Sequence, residues 1–85
     1  MLRTVEALQA FAALQRGADA RRRRMAYRVE DIDAVCATLR ERGVRLLYDV
    51  PKRGTSDSRV NFIHPKDAGG VLVELVEPAT DTPHH

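Results

Sequence analysis

The stretch Gly69-Gly70-Val71-Leu72-Val73-Glu74-Leu75-Val76-Glu77 is the most apolar in the chain and restricts its fold more than any other. It reads as a strand. Val71, Val73 and Leu75 share one face of a period-2 element, and Leu72, Glu74 and Val76 share the other. The first face asks for a packed core. The second sets an acid between two aliphatic side chains. A buried lone carboxylate is costly unless it is paired or binds a metal. Either that face is solvated and carries two exposed aliphatics, or Glu74 points into a pocket and binds a ligand.

Upstream residues supply the partners such a strand needs. Residues 4–16 predict a helix, with Val5, Leu8, Phe11/Ala12 and Gln15 about a turn apart, Thr4 as cap and Gly17 as stop. Gly17 to Arg24 reads as an exposed basic connector. Met25 to Val29 reads as a strand, with Arg24, Ala26 and Arg28 on one face and Met25, Tyr27 and Val29 on the other. Asp31 caps the clearest helix of the chain, whose stripe Ile32, Val35, Cys36 and Leu39 follows the i, i+3, i+4, i+7 pattern and ends at Gly43. Cys36 lies on that stripe and reads as a small core residue, not a nucleophile. Val44 to Val50 predicts a strand stopped by Pro51, and Lys52 to Asp57 a polar loop. Arg59 to Ile63 predicts another strand, with Val60 and Phe62 on its apolar face, and His64-Pro65-Lys66-Asp67 a turn in which His64 is structural.

From Met25 onward the order is strand, helix, strand, strand, strand, a βαβββ unit of the α+β class. The expected division is residues 1–24 as helix and Arg-rich connector, 25–78 as the module, and 79–85 as a disordered tail. The helix stripe is expected to cover a sheet face of Tyr27, Val29, Val60, Phe62, Val71, Val73 and Leu75. It leaves Arg28, Asn61 and Glu74 on the open face, with an exposed apolar patch of Leu72, Ile63 and Val76 that favours self-association.

Size and charge narrow the function. Eighty-five residues make one small domain. No apolar run approaches the ~20 residues of a membrane span, and the start of the chain, with Glu6 and no long apolar core behind it, does not read as a secretory signal. One cysteine excludes an internal disulfide and suits a reducing cytoplasm. The net charge of +2 divides into +4 for residues 1–24 (six Arg, two acids) and −2 for residues 25–85 (eight Lys/Arg, ten acids). The excess is the run Arg21-Arg22-Arg23-Arg24, read as a solvated arm without a specific nucleic-acid role.

Four segments carry a more specific signal: Met25-Ala-Tyr-Arg-Val-Glu-Asp-Ile-Asp33, Leu39-Arg-Glu-Arg-Gly-Val-Arg-Leu-Leu47, Ser58-Arg-Val-Asn-Phe-Ile-His-Pro-Lys66 and Gly69-Gly-Val-Leu-Val-Glu-Leu-Val-Glu77. Over about residues 25–78 they resemble the C-terminal half of methylmalonyl-CoA epimerases, of the vicinal-oxygen-chelate, or glyoxalase/bleomycin-resistance, superfamily. The His-Pro-Lys turn followed by Gly-Gly-Val-Leu-Val-Glu-Leu is the most specific part. The resemblance implies a cup of two βαβββ modules around a divalent metal such as cobalt or zinc, with Glu74 as a metal ligand near the proton transfer. It also implies an isomerase that removes and returns the C2 proton of methylmalonyl-CoA.

Two departures qualify this. The family's first-strand His ligand falls where this chain has Arg24, and an N-terminal module with its further ligands and catalytic acid does not precede Met25. The chain is therefore expected to be a half-length form with reduced or no activity alone. It would take an acyl-CoA only when a homodimer or a separate N-terminal module completes the cup. The alternative is a metal-free module that sequesters a small anionic ligand on Arg24 and Arg28.

Overall fold

The computed structural model describes residues 1–79, so the expected tail lies outside the described residues from residue 80 onward. In chain order the elements are α1 (Thr4–Gln15), β1 (Arg24–Arg28), α2 (Ile32–Glu41), β2 (Lys52–Arg53), β3 (Arg59–Ile63) and β4 (Leu72–Glu77). The strands form one sheet in the order β1-β4-β3-β2. β4 runs parallel to β1 and antiparallel to β3, and β2 is antiparallel to β3. The apolar strand thus lies inside the sheet, between β1 and β3. From β1 onward this is the expected βαβββ unit.

Helix α2 forms as its pattern dictates. The Asp31 carboxylate accepts from the Ala34 N–H at 3.0 Å, and the Glu77 carboxylate, at the far end of β4, accepts from the Ile32 N–H at 3.0 Å. Two donors that no helical carbonyl reaches are satisfied in this way. The whole stripe Ile32, Val35, Cys36 and Leu39 is buried. Burying each of its aliphatic members is worth roughly 1.5–3 kcal/mol. Outside the stripe, Asp33 grips Arg59 of β3 through two bonds of 2.7 and 2.9 Å.

Helix α1 departs from its expected face. Ala7, Phe11 and Leu14 are buried, whereas Val5 is 65% exposed. Thr4 is not the cap. The helix starts after Arg3, whose N–H donates to the Glu6 carboxylate at 2.9 Å. The helix is no loose appendage. Its buried side chains belong to the same core as α2 and the sheet, and Leu2 pairs alongside Val29 at the edge of β1. At its other end, the Leu14 carbonyl comes so close to Gly69 that a Cβ there would run into it.

Two expectations about the sheet fail for one reason. Val44 to Val50 is not a strand, and the short β2 forms instead within the stretch expected to be a loop. The chain begins to pair with β3 at Leu46, opposite Ile63, and resumes at Lys52, opposite Val60. Between those points six steps of one chain oppose three of the other, so the excess bulges outward. Asn61 fills the gap. Its side-chain oxygen accepts from the N–H of Tyr48 (3.1 Å) and of Phe62 (2.8 Å), and its amide donates to the Tyr48 carbonyl (2.9 Å) and the Cys36 sulfur (3.6 Å). A side chain has replaced a rung of the ladder.

Asn61 is consequently not on the open face. It is fully buried on the helix side with Ile63, Val73 and Leu75, while Val60 and Phe62 are half-buried on the other side. The register demands this: Phe62 sits opposite Glu74, and Asn61 opposite Leu75. Ile63 likewise leaves the expected exposed patch for the core.

Candidate functional site

The open face of the sheet is built from alternate residues of each strand. Arg24, Ala26 and Arg28 come from β1, Leu72, Glu74 and Val76 from β4, and Val60 and Phe62 from β3. Both α-helices bury their apolar stripes in the core on the opposite side. Glu74 stands in the middle, with Ala26 beside it on one neighbouring strand and Phe62 on the other. It is half-buried and, among the described residues, makes no side-chain hydrogen bond or ion pair. Most other carboxylates in the described chain are committed: Glu6 to Arg3, Asp33 to Arg59, Asp67 to Arg45, and Glu77 to α2. Glu74 is the acid on this face, and among the described residues the fold leaves it unpaired on a largely apolar floor.

Glu74 is the shared wall of two concavities. The smaller, about 200 Å³, is lined by Arg24, Ala26, Phe62 and Leu72 as well. The larger, about 550 Å³, runs toward Arg28 over Val60 and Val76 and is closed by the Gly54-Thr55-Ser56 turn and Ser58. The turn is a feature that sequence reasoning missed. Ser56 and Asp57 both adopt positive φ (56° and 59°), which folds the segment back over the sheet. The signal available was Gly-Thr-Ser-Asp, a turn composition that says nothing of where the turn lands.

The remaining singled-out residues lie elsewhere. Burial pushes the Cys36 thiol up, away from reactivity, and the Asn61 amide donates to its sulfur. His64 is in the turn as expected, and its Nδ1 accepts from the Lys66 N–H at 3.1 Å. Lys52 caps the Tyr48 ring at 4.5 Å. Arg21 to Arg24 are exposed. Among the described residues, no helix is long and apolar enough to cross a membrane.

The divalent metal expected at Glu74 can be tested against the donors present. Such ions take several His, Cys or carboxylate ligands at once. Neither concavity offers a second one, and no group of three such side chains exists among the described residues. Arg24 supplies positive charge where a ligand is needed and has no lone pair to give. The described residues do not fit a divalent metal by themselves.

Comparison with known proteins agrees with the geometry of the fold. The crystal structure of methylmalonyl-CoA epimerase from Mycobacterium tuberculosis is 65% identical over the aligned region, with a TM-score of 0.62, covering 67% of this chain and 38% of that one. A variant of the Streptomyces coelicolor methylmalonyl-CoA epimerase, in complex with 2-nitronate-propionyl-CoA, is 53% identical with a TM-score of 0.62, covering 65% and 39%. The ethylmalonyl-CoA/methylmalonyl-CoA epimerase of Cereibacter sphaeroides is 50% identical over 50 residues, which is 58% of this chain and 37% of that protein. The chain thus spans well under half the length of the relatives it matches. A model of the Glyoxalase/Bleomycin resistance protein/Dioxygenase superfamily matches residues 7–75, and the chain belongs to that family.

Proposed function

We propose that the chain is a methylmalonyl-CoA epimerase-like module that supplies one wall of an acyl-CoA site, with Glu74 as the group that exchanges a proton at the carbon next to the thioester. The observation that carries this is the placement of Glu74: a carboxylate without a partner among the described residues, on an apolar sheet face, between two concavities. A carboxylate without an ion-pair partner is free to reach a ligand in either concavity. The relatives' names support the substrate class: one Streptomyces coelicolor structure holds 2-nitronate-propionyl-CoA.

A single open sheet covers a ligand from one side only. The site therefore needs a second body over the face, either a second copy of the chain or a separate N-terminal module. Alone, the chain has reduced activity or none. Any divalent metal would need ligands from that second body. The buried, unpaired Cys36 suits a reducing compartment such as the cytoplasm.

The test is deuterium exchange at C2 of methylmalonyl-CoA in heavy water, with added cobalt or zinc and a no-protein control. The expected result is exchange above control at high protein concentration, lost in Glu74→Gln. Exchange equal to control, both for the chain alone and for the chain mixed with an epimerase N-terminal module, would overturn the proposal.

A further inference from the structure

The same face carries a second arrangement that needs neither a metal nor turnover. Arg24 pairs with Leu72, Ala26 with Glu74, and Arg28 with Val76, so the two arginines stand on β1 to either side of Glu74. At about 3.3 Å per residue their Cα atoms lie about 13 Å apart. Both are exposed, and among the described residues neither has an ion-pair partner. Each lines one of the two concavities that share Glu74. Arg24 lines the smaller with Phe62 and Leu72, and Arg28 lines the larger with Val60 and Val76. The result is a trough with a guanidinium at each end, hydrocarbon along the bottom and one acid at its middle.

Guanidinium groups bind carboxylates through paired N–H donors, and they do so best beside apolar surface that thins the competing water. Glu74 is too central to neutralise both. We propose that Arg24 and Arg28 form a metal-independent binding site for an organic carboxylate with a short hydrocarbon body, its anionic groups on the arginines and its carbons on the apolar floor. Glu74 opposes such a ligand by like-charge repulsion, and this gives the proposal a sign of its own. In a metal-centred site Glu74 is a ligand and its loss weakens binding. In an arginine-centred site its loss strengthens binding.

The probe is adipate, titrated into the isotope-labelled chain in metal-stripped buffer at low salt, with the Arg24 and Arg28 Nε–H signals followed by NMR. Saturable shifts at both arginines are expected. Arg24→Gln and Arg28→Gln should each weaken binding about tenfold, and Glu74→Gln should tighten it about threefold or more. Arg16→Gln, at the C-terminal end of α1 and away from this face, should change nothing. Inorganic phosphate, which cannot use the floor, should bind more weakly. Three results would each sink the proposal: no saturable shift, affinity that survives the Arg24→Gln/Arg28→Gln double change, or weaker binding in Glu74→Gln. Because the readout is binding without turnover, failure of C2 exchange leaves it untouched, and the reverse holds as well.

Discussion

Asn61 is the residue whose replacement tests the fold most sharply. Asn61→Leu keeps the branched shape and the number of heavy atoms and favours the core by composition, so a reading from hydrophobicity expects it to be harmless or stabilising. The structure gives the opposite sign. The Asn61 oxygen is the acceptor for the N–H groups of Tyr48 and Phe62 at 3.1 and 2.8 Å, in a residue that is 0% exposed. Leucine leaves both donors without a partner. The Tyr48 carbonyl is less affected, since Arg40 also donates to it at 2.6 Å. Each buried orphan donor costs about 1–3 kcal/mol, and the added apolar burial offsets roughly 1–2 kcal/mol of the total. At the middle of these ranges the net loss is about 2.5 kcal/mol, a large share of the roughly 4–13 kcal/mol that a chain of this length has in total. In a domain this small it corresponds to a fall in Tm of roughly 10–20 °C. Urea unfolding followed by circular dichroism measures it directly. Amide exchange at Tyr48 and Phe62, slow in the parent and fast in the variant, locates the cause. An Asn61→Leu midpoint equal to or above the parent's would refute the account of the bulge.

Gly69→Ala and Gly70→Ala separate close packing from backbone strain: both have positive φ (63° and 86°), but only a Cβ on Gly69 meets the Leu14 carbonyl. Thermal melts should show a loss of about 1 kcal/mol for Gly70→Ala and at least about 3 kcal/mol for Gly69→Ala; equal losses would contradict the seating of α1. Arg45, through its side chain and its N–H, holds the Asp67 carboxyl well below its ordinary 3.8, down to about 2. A depressed carboxylate stabilises the fold fully above the unfolded value and loses that contribution as pH falls through the folded one, so the stability gap between the parent and Asp67→Asn should close between pH 4 and 2; a pH-independent gap would count against it. Because Glu74 has no partner among the described residues, Glu74→Gln should leave the unfolding free energy from urea titration within about 0.5 kcal/mol of the parent's. The half-buried Phe62 and Leu72 on the open face should drive concentration-dependent self-association in analytical ultracentrifugation, abolished by Phe62→Arg with Leu72→Arg; a monomer at all concentrations would contradict that.

Elements with a long, regular pattern could be read from the sequence, and elements defined by their neighbours could not. The stripe of α2 and its Asp31 cap need only one helix to be stated, and both appear as expected. The alternation of β4 holds as well, with Val71, Val73 and Leu75 buried. The faces of β3 do not follow hydrophobicity. Val60 and Phe62 looked like core and Asn61 like surface. Pairing with β4 fixes the faces instead, and Asn61 enters the core because four hydrogen bonds compensate its polarity. The same side chain erased the strand expected at Val44 to Val50. Residue composition cannot reveal that a single amide will stand in for a rung of the ladder. Helix α1 differs from its expected face for a related reason: its weak stripe admits more than one face, and the core selects Ala7, Phe11 and Leu14.

The site shows the same division. Glu74 stood out because an acid within an apolar strand calls for a reason, and the structure leaves it unpaired among the described residues at the meeting of two concavities. The shared parity of Arg24 and Arg28 was legible from β1 alone. What could not be read was their relation to Glu74, since that depends on which residue of β4 faces Ala26. One residue of slip would have turned Glu74 into the core and left the arginines facing hydrocarbon. In the observed register the charges alternate along the trough as arginine, glutamate, arginine. An anion bound there is drawn by two charges and repelled by one, whereas a cation meets the reverse balance. Without further ligands from a second body, the charge balance of the open face therefore favours anions over cations.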